Sequence, residues 1–199
     1  AKSAFWVTKK RYGQWIINDG GVKCDKLDVK GLDIVKSNFP PAMRDLMTQV
    51  LKDILGNVDK EDIDEKIVNF KNEMKTLPLE TIALPTGVKK LTKFKGPKVR
   101  GGIFTTTIKG TPVHVKASWV YNDLLNYYKL NNVEKIKNSS KIKWVYLKQN
   151  PLSISQIAFK GYDDPKEIMD YINQYVDHDK LFNKALQKKI DMFYDSMGW

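Results

Sequence analysis

Cysteine and histidine are nearly missing from this chain: Cys24 is the one thiol, and there are two histidines in 199 residues. A lone thiol excludes an internal disulfide and fits a reducing compartment. So few soft ligands also leave little material for a zinc site. No apolar run reaches membrane-spanning length, and no charged-then-apolar leader precedes a cleavage site. The expectation is a soluble, cytoplasmic protein with no membrane partner. Strand-like sequence starts at the first residue, as it would in a piece of something longer.

The most informative absence is of negative charge. From residue 81 to residue 122 there is no Asp or Glu, while Lys89, Lys90, Lys93, Lys95, Lys98, Arg100, Lys109 and Lys116 supply eight cations. His114 is a candidate ninth. Glycines and prolines interleave them (Pro85, Gly87, Gly96, Pro97, Gly101, Gly102, Gly110, Pro112), which suits a backbone that approaches a ligand closely. Cations without counter-charges repel one another, so the stretch points to a polyanionic partner. The net charge of +11 points the same way.

What is present is enough to fold. With 42% hydrophobic residues and 11% aromatics, disorder is excluded and one good core or two modest ones can be buried. Residues 4–17 read as a strand through Phe5, Trp6, Val7, Tyr12, Trp15, Ile16 and Ile17. Asn18-Asp19-Gly20-Gly21 marks a hairpin turn, and residues 22–29 return as its partner with Cys24 facing inward. Lys9-Lys10-Arg11-Tyr12 within it reads, taken alone, as the charged protection of a sheet edge.

Beyond the hairpin the period changes to that of helices. Met43, Leu46, Met47, Val50, Ile54 and Leu55 share one face of a helix over 41–55, opened by proline and stopped by Gly56. A second helix is expected from Asp59, burying Ile63, Ile67, Phe70 and Met74; the acids Asp59, Glu61, Asp62, Asp64 and Glu65 suit its N-terminus better than a metal site. Residues 79–84 read as a strand, 85–90 as a loop offering backbone donors beside paired lysines, 119–130 as a helix and 142–147 as a strand. Asp164-Pro165-Lys166-Glu167 opens a helix whose core face is Ile168, Tyr171, Ile172 and Tyr175; His178 falls at its end as polar surface, and residues 181–190 form a last amphipathic helix.

Order and spacing carry a resemblance. Lys9-Lys10-Arg11-Tyr12, then a hairpin, then Gly31-Leu32-Asp33-Ile34-Val35-Lys36-Ser37 before a proline-started helix resembles the end of the palm in family B DNA polymerases, the phage replicative branch above all. Thr111-Pro112-Val113-His114-Val115-Lys116, followed by small residues and Tyr121-Asn122, is similar to that family's thumb motif Pro-x-His-x-Arg. Lys116 stands where the motif has arginine, which reduces bidentate phosphate recognition to a point charge.

The resemblance implies an α+β chain: a palm-end hairpin over 1–37, then a largely helical thumb with a small β element over 38–199. It implies contacts with primer–template duplex DNA through Lys9, Lys10, Arg11, Tyr12, Lys36, Ser37, Thr86, Gly87, Lys89, Lys90, His114, Lys116, Tyr121 and Asn122. Catalytic aspartates and the magnesium they hold are expected in an upstream polypeptide carrying exonuclease, palm and fingers, so this chain is expected to be silent alone and to need no cofactor. The tail over 187–199 is similar to clamp-binding C-termini, with Gln187, Ile190, Met192, Phe193, Tyr194 and Trp199 as anchors for a sliding clamp. The alternative from another class is a stand-alone accessory protein that binds DNA without sequence preference.

Overall fold

In the computed structural model, which describes residues 2–99 and 101–199 but not the side chain of residue 98, the opening sequence folds as a three-stranded antiparallel meander. Its strands are β1 (Ser3–Thr8), β2 (Arg11–Asp19) and β3 (Val22–Lys30). The single strand expected over 4–17 is therefore two strands. Thr8 pairs with Arg11, so Lys9 and Lys10 form a two-residue turn. Aromatic and β-branched residues on both sides make the stretch read as continuous, and no Gly, Pro or Asn marks the reversal. Cys24 is half-buried, its thiol donating to the Ile16 carbonyl at 3.3 Å.

One face of the meander lies on α1 (Pro41–Leu55), whose expected apolar residues are all buried. Gly13 makes the approach possible: a Cβ there would stand 2.7 Å from the Leu51 side chain. In α2 (Lys60–Glu73), only Ile63 of the expected core face is buried; Met74, just beyond it, is buried too, while Ile67 and Phe70 remain half-exposed. Asp59 sits at the N-cap without making a side-chain bond. The strand expected over 79–84 begins instead as the short helix α3 (Leu79–Ile82), because Pro78 opens a turn that Thr81 N–H closes at 2.9 Å.

These elements belong to one compact unit, Ala1–Ile82 with Phe182–Trp199; a second unit comprises Ala83–Leu181. The expected division at residue 37 falls inside the first unit. The C-terminal helix of that unit also differs from expectation. After α6 (His178–Phe182), a π-helical turn at Asn183–Gln187 leads into α7 (Lys188–Met197), which ends at left-handed Gly198. Ile190 and Phe193 are buried, and the Phe193 ring meets Phe5 edge-on at 5.0 Å. Tyr194 donates to Asp64 at 2.5 Å, and Lys189 lies 3.5 Å from Asp33. The tail is thus helical from Lys188 to Met197, and Ile190 and Phe193 within it belong to the core.

The second unit is built around a sheet ordered β4-β7-β8, from β4 (Leu84–Gly87), β7 (Lys141–Tyr146) and β8 (Gln156–Phe159). A separate two-stranded ribbon joins β5 (Lys95–Lys98) to β6 (Thr105–Thr107). Helix α4 (Val113–Tyr127) packs on β8, β7 and β6 through Val115, Val120, Tyr121, Leu124 and Leu125. It starts six residues before the 119–130 expectation, because Pro112 serves as its N-cap. Helix α5 (Lys166–Tyr175) buries Ile168 and Ile172, with Tyr171 and Tyr175 half-buried. Asp164 does not cap it; its carboxylate accepts from the Lys160 and Gly161 N–H groups at 2.9 and 2.6 Å. Trp144 and Tyr146 stack on one side of β7 at 5.0 Å, as alternation requires. His178 opens α6 and is half-buried.

Candidate nucleic-acid interface

In the second unit, six lysines of the acid-free stretch are held on a scaffold that gives them no acidic partner among the described residues. Lys89, Lys90, Lys93, Lys95 and Lys109 are exposed and Lys116 is half-exposed. Among the described residues none of the six forms an ion pair. Arg100 and the side chain of Lys98 lie outside the described residues. The segment carrying Lys89 and Lys90 is pinned from below: Val88 N–H donates to the Ser140 carbonyl at 2.9 Å, Ser139 N–H to Val88 at 2.8 Å, and Leu91 N–H to Asn138 at 2.6 Å. Lys90 adopts a left-handed φ of 57°.

Thr86 and Gly87 were expected in a loop of free backbone donors. They lie instead in β4, opposite Ile142 and Lys141 of β7. Pairing across fifty-odd residues of sequence leaves no local mark on a Pro-Thr-Gly stretch. β4 is the edge strand of its sheet, and the exposed Lys89 and Lys90 follow it.

Trp119 ties the lysines to α4. Its indole N–H donates to the Leu91 carbonyl at 3.3 Å, and the Lys95 ammonium lies 5.3 Å from its ring centre. Lys116 precedes Trp119 by one helical turn and so shares its face. The ribbon is anchored by Asp123, buried in α4, which accepts from Thr105 N–H at 2.6 Å and Thr105 Oγ1 at 3.0 Å. A buried carboxylate therefore orients the strand that pairs with Lys95. Pattern reading passed over it, because Asp123 is the first acid after the acid-free stretch and lies eighteen residues from its partner.

His114 occupies the first turn of α4 and is half-buried; burial lowers its pKa below the ordinary 6.5, so it is neutral at pH 7. Tyr121 and Asn122 are not surface contacts. Asn122 receives the Ile136 N–H at 2.8 Å and donates to the Ile136 carbonyl at 2.9 Å, closing the loop after α4. Tyr121 is fully buried, close to the Asp164 carboxylate. Burial first, and then the nearby Asp164 carboxylate, push its ionisation well above the usual range.

In the first unit the two palm-like motifs meet. Gly31 has φ +68°, and a Cβ on it would collide with the Lys10 carbonyl. Arg11 Nε donates to the Gly31 carbonyl at 3.3 Å. Lys9 and Lys10 are exposed at the turn, and Tyr12 stacks on Trp6 at 4.6 Å. Lys36 is already engaged by Asp33 at 2.5 Å, while Ser37 is exposed beside it. Burial works to raise the Asp33 carboxyl, but Lys36 and Lys189 outweigh it and hold it below the usual range. Of the expected clamp anchors, Ile190 and Phe193 are buried, Met192 and Tyr194 half-buried, Gln187 bonded to Asp191, and Trp199 exposed.

The second unit of this α+β fold thus carries six lysines with no ion pair among the described residues, a surface of positive potential. No family model matches it. Over 198 residues, 98% of its length, the chain is 24% identical to the DNA-directed DNA polymerase of Enterobacteria phage T4, of which it spans 21%. The human protein SSX8 is 32% identical over 76 residues, 36% of this chain and 40% of that protein. Distant similarity to a phage DNA polymerase thus runs along nearly the whole chain, which covers about a fifth of that relative. Among the described residues no helix is long and apolar enough to cross a membrane.

Proposed function

We propose that this chain grips primer–template duplex DNA without reading its sequence, as the end-of-palm and thumb portion of a phage-type family B DNA polymerase. The observation that carries this reading is the set of six described lysines, from Lys89 to Lys116, that have no ion pair. The near full-length similarity to the T4 enzyme supports it. Phosphate oxygens accept from such lysines in any sequence context, so the contacts position the duplex and specify nothing. Lys10, exposed on a turn braced by Gly31, serves the primer's minor-groove edge, where acceptors are shared by all base pairs.

In this reading nucleotidyl transfer belongs to an upstream polypeptide whose carboxylates hold magnesium. Among the described residues no three His, Cys, Asp or Glu side chains gather as metal ligands. A sliding clamp, if docked here, meets the accessible end of α7 at Trp199 rather than Ile190 and Phe193, which the core uses. The test is binding of several unrelated duplexes of equal length to the purified chain. Affinities within about threefold of one another are expected for phosphate-led binding. A strong preference for one sequence, or primer extension by the chain alone, overturns the assignment.

A further inference from the structure

Helices α1 and α2 leave between them an open groove of about 570 Å³. Its floor is apolar, from Leu46, Phe70 and Leu77. Phe70 belongs to the face of α2 that helical spacing assigns to a core, yet it remains half-exposed in the groove. The rim is acidic: Asp45, Asp62, Glu65 and Glu73 line it, all exposed and none in an ion pair among the described residues. The one cation in the lining, Lys66, is committed to Asp53. On a chain of net charge +11 this is a local reversal of sign. It repels nucleic acid and attracts cations, while the floor calls for aliphatic or aromatic side chains.

We propose that this groove is a docking site for a basic amphipathic helix of a partner protein. A helix with apolar residues at i, i+3, i+4 and i+7 fills such a groove along one stripe. Lysines or arginines flanking that stripe meet the four rim carboxylates, which also sets the rate and selectivity of encounter. The volume lies within the range of sites that bury a few large side chains.

The experiment uses the whole chain and a fluorescent synthetic peptide of about 14 residues, long enough to form a helix on binding. Leucines stand at i, i+3, i+4 and i+7, with lysines at the remaining positions; a second peptide replaces every lysine by glutamate. The lysine peptide binds, and the glutamate peptide does not. The double variant Asp62→Lys, Glu65→Lys, on exposed positions that leave folding intact by circular dichroism, weakens the lysine peptide at least about tenfold. Phe70→Ala weakens it as well, and duplex-DNA affinity is not reduced by any of these changes. Equal binding of both peptides overturns the proposal, as does indifference to the charge reversal. Concentration-dependent self-association abolished by Asp62→Lys, Glu65→Lys overturns it too, since the occupant is then a second copy of the chain.

Discussion

In the first unit, Lys36 lies 2.5 Å from Asp33, Lys60 lies 2.7 Å from Asp64, and Lys66 bonds Asp53. In the second, Lys89, Lys90, Lys93, Lys95, Lys109 and Lys116 have no acid within reach among the described residues. The same residue type serves two ends. Lys36 with Asp33 and Lys60 with Asp64 contribute at most about 1 kcal/mol each, while Lys66 gives the buried Asp53 carboxylate its cation. The lysines of the second unit repel one another in the free protein, so the fold gains nothing by their proximity. In the function proposed above, their use lies in a partner that brings the negative charge.

The largest effect that tests this contrast lies in the first unit, where α7 is core and not tail. Phe193→Ala removes a fully buried ring from against Phe5 and is expected to cost about 3–5 kcal/mol in urea unfolding. Truncation after Lys189 removes Ile190 as well and should cost more. Unchanged unfolding after truncation would return α7 to the role of a free tail. Next comes the combined change of Lys89, Lys90, Lys93 and Lys95 to Gln. It should weaken duplex binding by about 100- to 1,000-fold at low salt while leaving the melting temperature the same or raised. A drop in stability instead would mean these lysines serve the fold.

A smaller effect separates the scaffold from the lysines it carries. Asp123→Ala leaves Thr105 N–H and Oγ1 without their acceptor and should destabilise the chain by about 1.5–3 kcal/mol. DNA affinity should fall with it even though no cation is lost; unchanged stability would deny the anchoring role. The smallest effect is that of His114. Its pKa is lowered by burial, so below pH 6.5 the unfolded chain binds the proton first. The stability linked to its neutral form is present above pH 6.5 and is lost as pH falls through the window down to the folded value. His114→Asn should flatten the melting temperature against pH there, and an unchanged slope would place the titration elsewhere.

Local pattern carried part of this structure. The apolar period of 41–55 named six residues of α1 that are all buried, though not Leu51, and the acid-free stretch is plain in the sequence before any fold. What escaped depended on distant partners. The edge-on contact of Phe193 with Phe5 joins the two ends of the chain, and nothing near residue 193 reports it. Thr86 and Gly87 are strand residues only because Ile142 and Lys141 come alongside. The thumb-like motif placed Tyr121 and Asn122 among surface contacts, but a motif records which residues recur, not which way a helix turns them. Lys9 and Lys10 read as strand because aromatic neighbours on both sides hide a two-residue turn.

The most direct test of the central claim is the salt dependence of duplex binding, measured for the wild type and for the four-lysine variant over the same range. If about five cations release counterions from phosphates, log affinity against log salt falls with a slope near −4 to −5 for the wild type. The slope of the variant should then be shallower by about one for each lysine that touches a phosphate. Equal slopes for the two proteins, or a flat response of the wild type to salt, would contradict the claim that the free lysines of the second unit hold DNA.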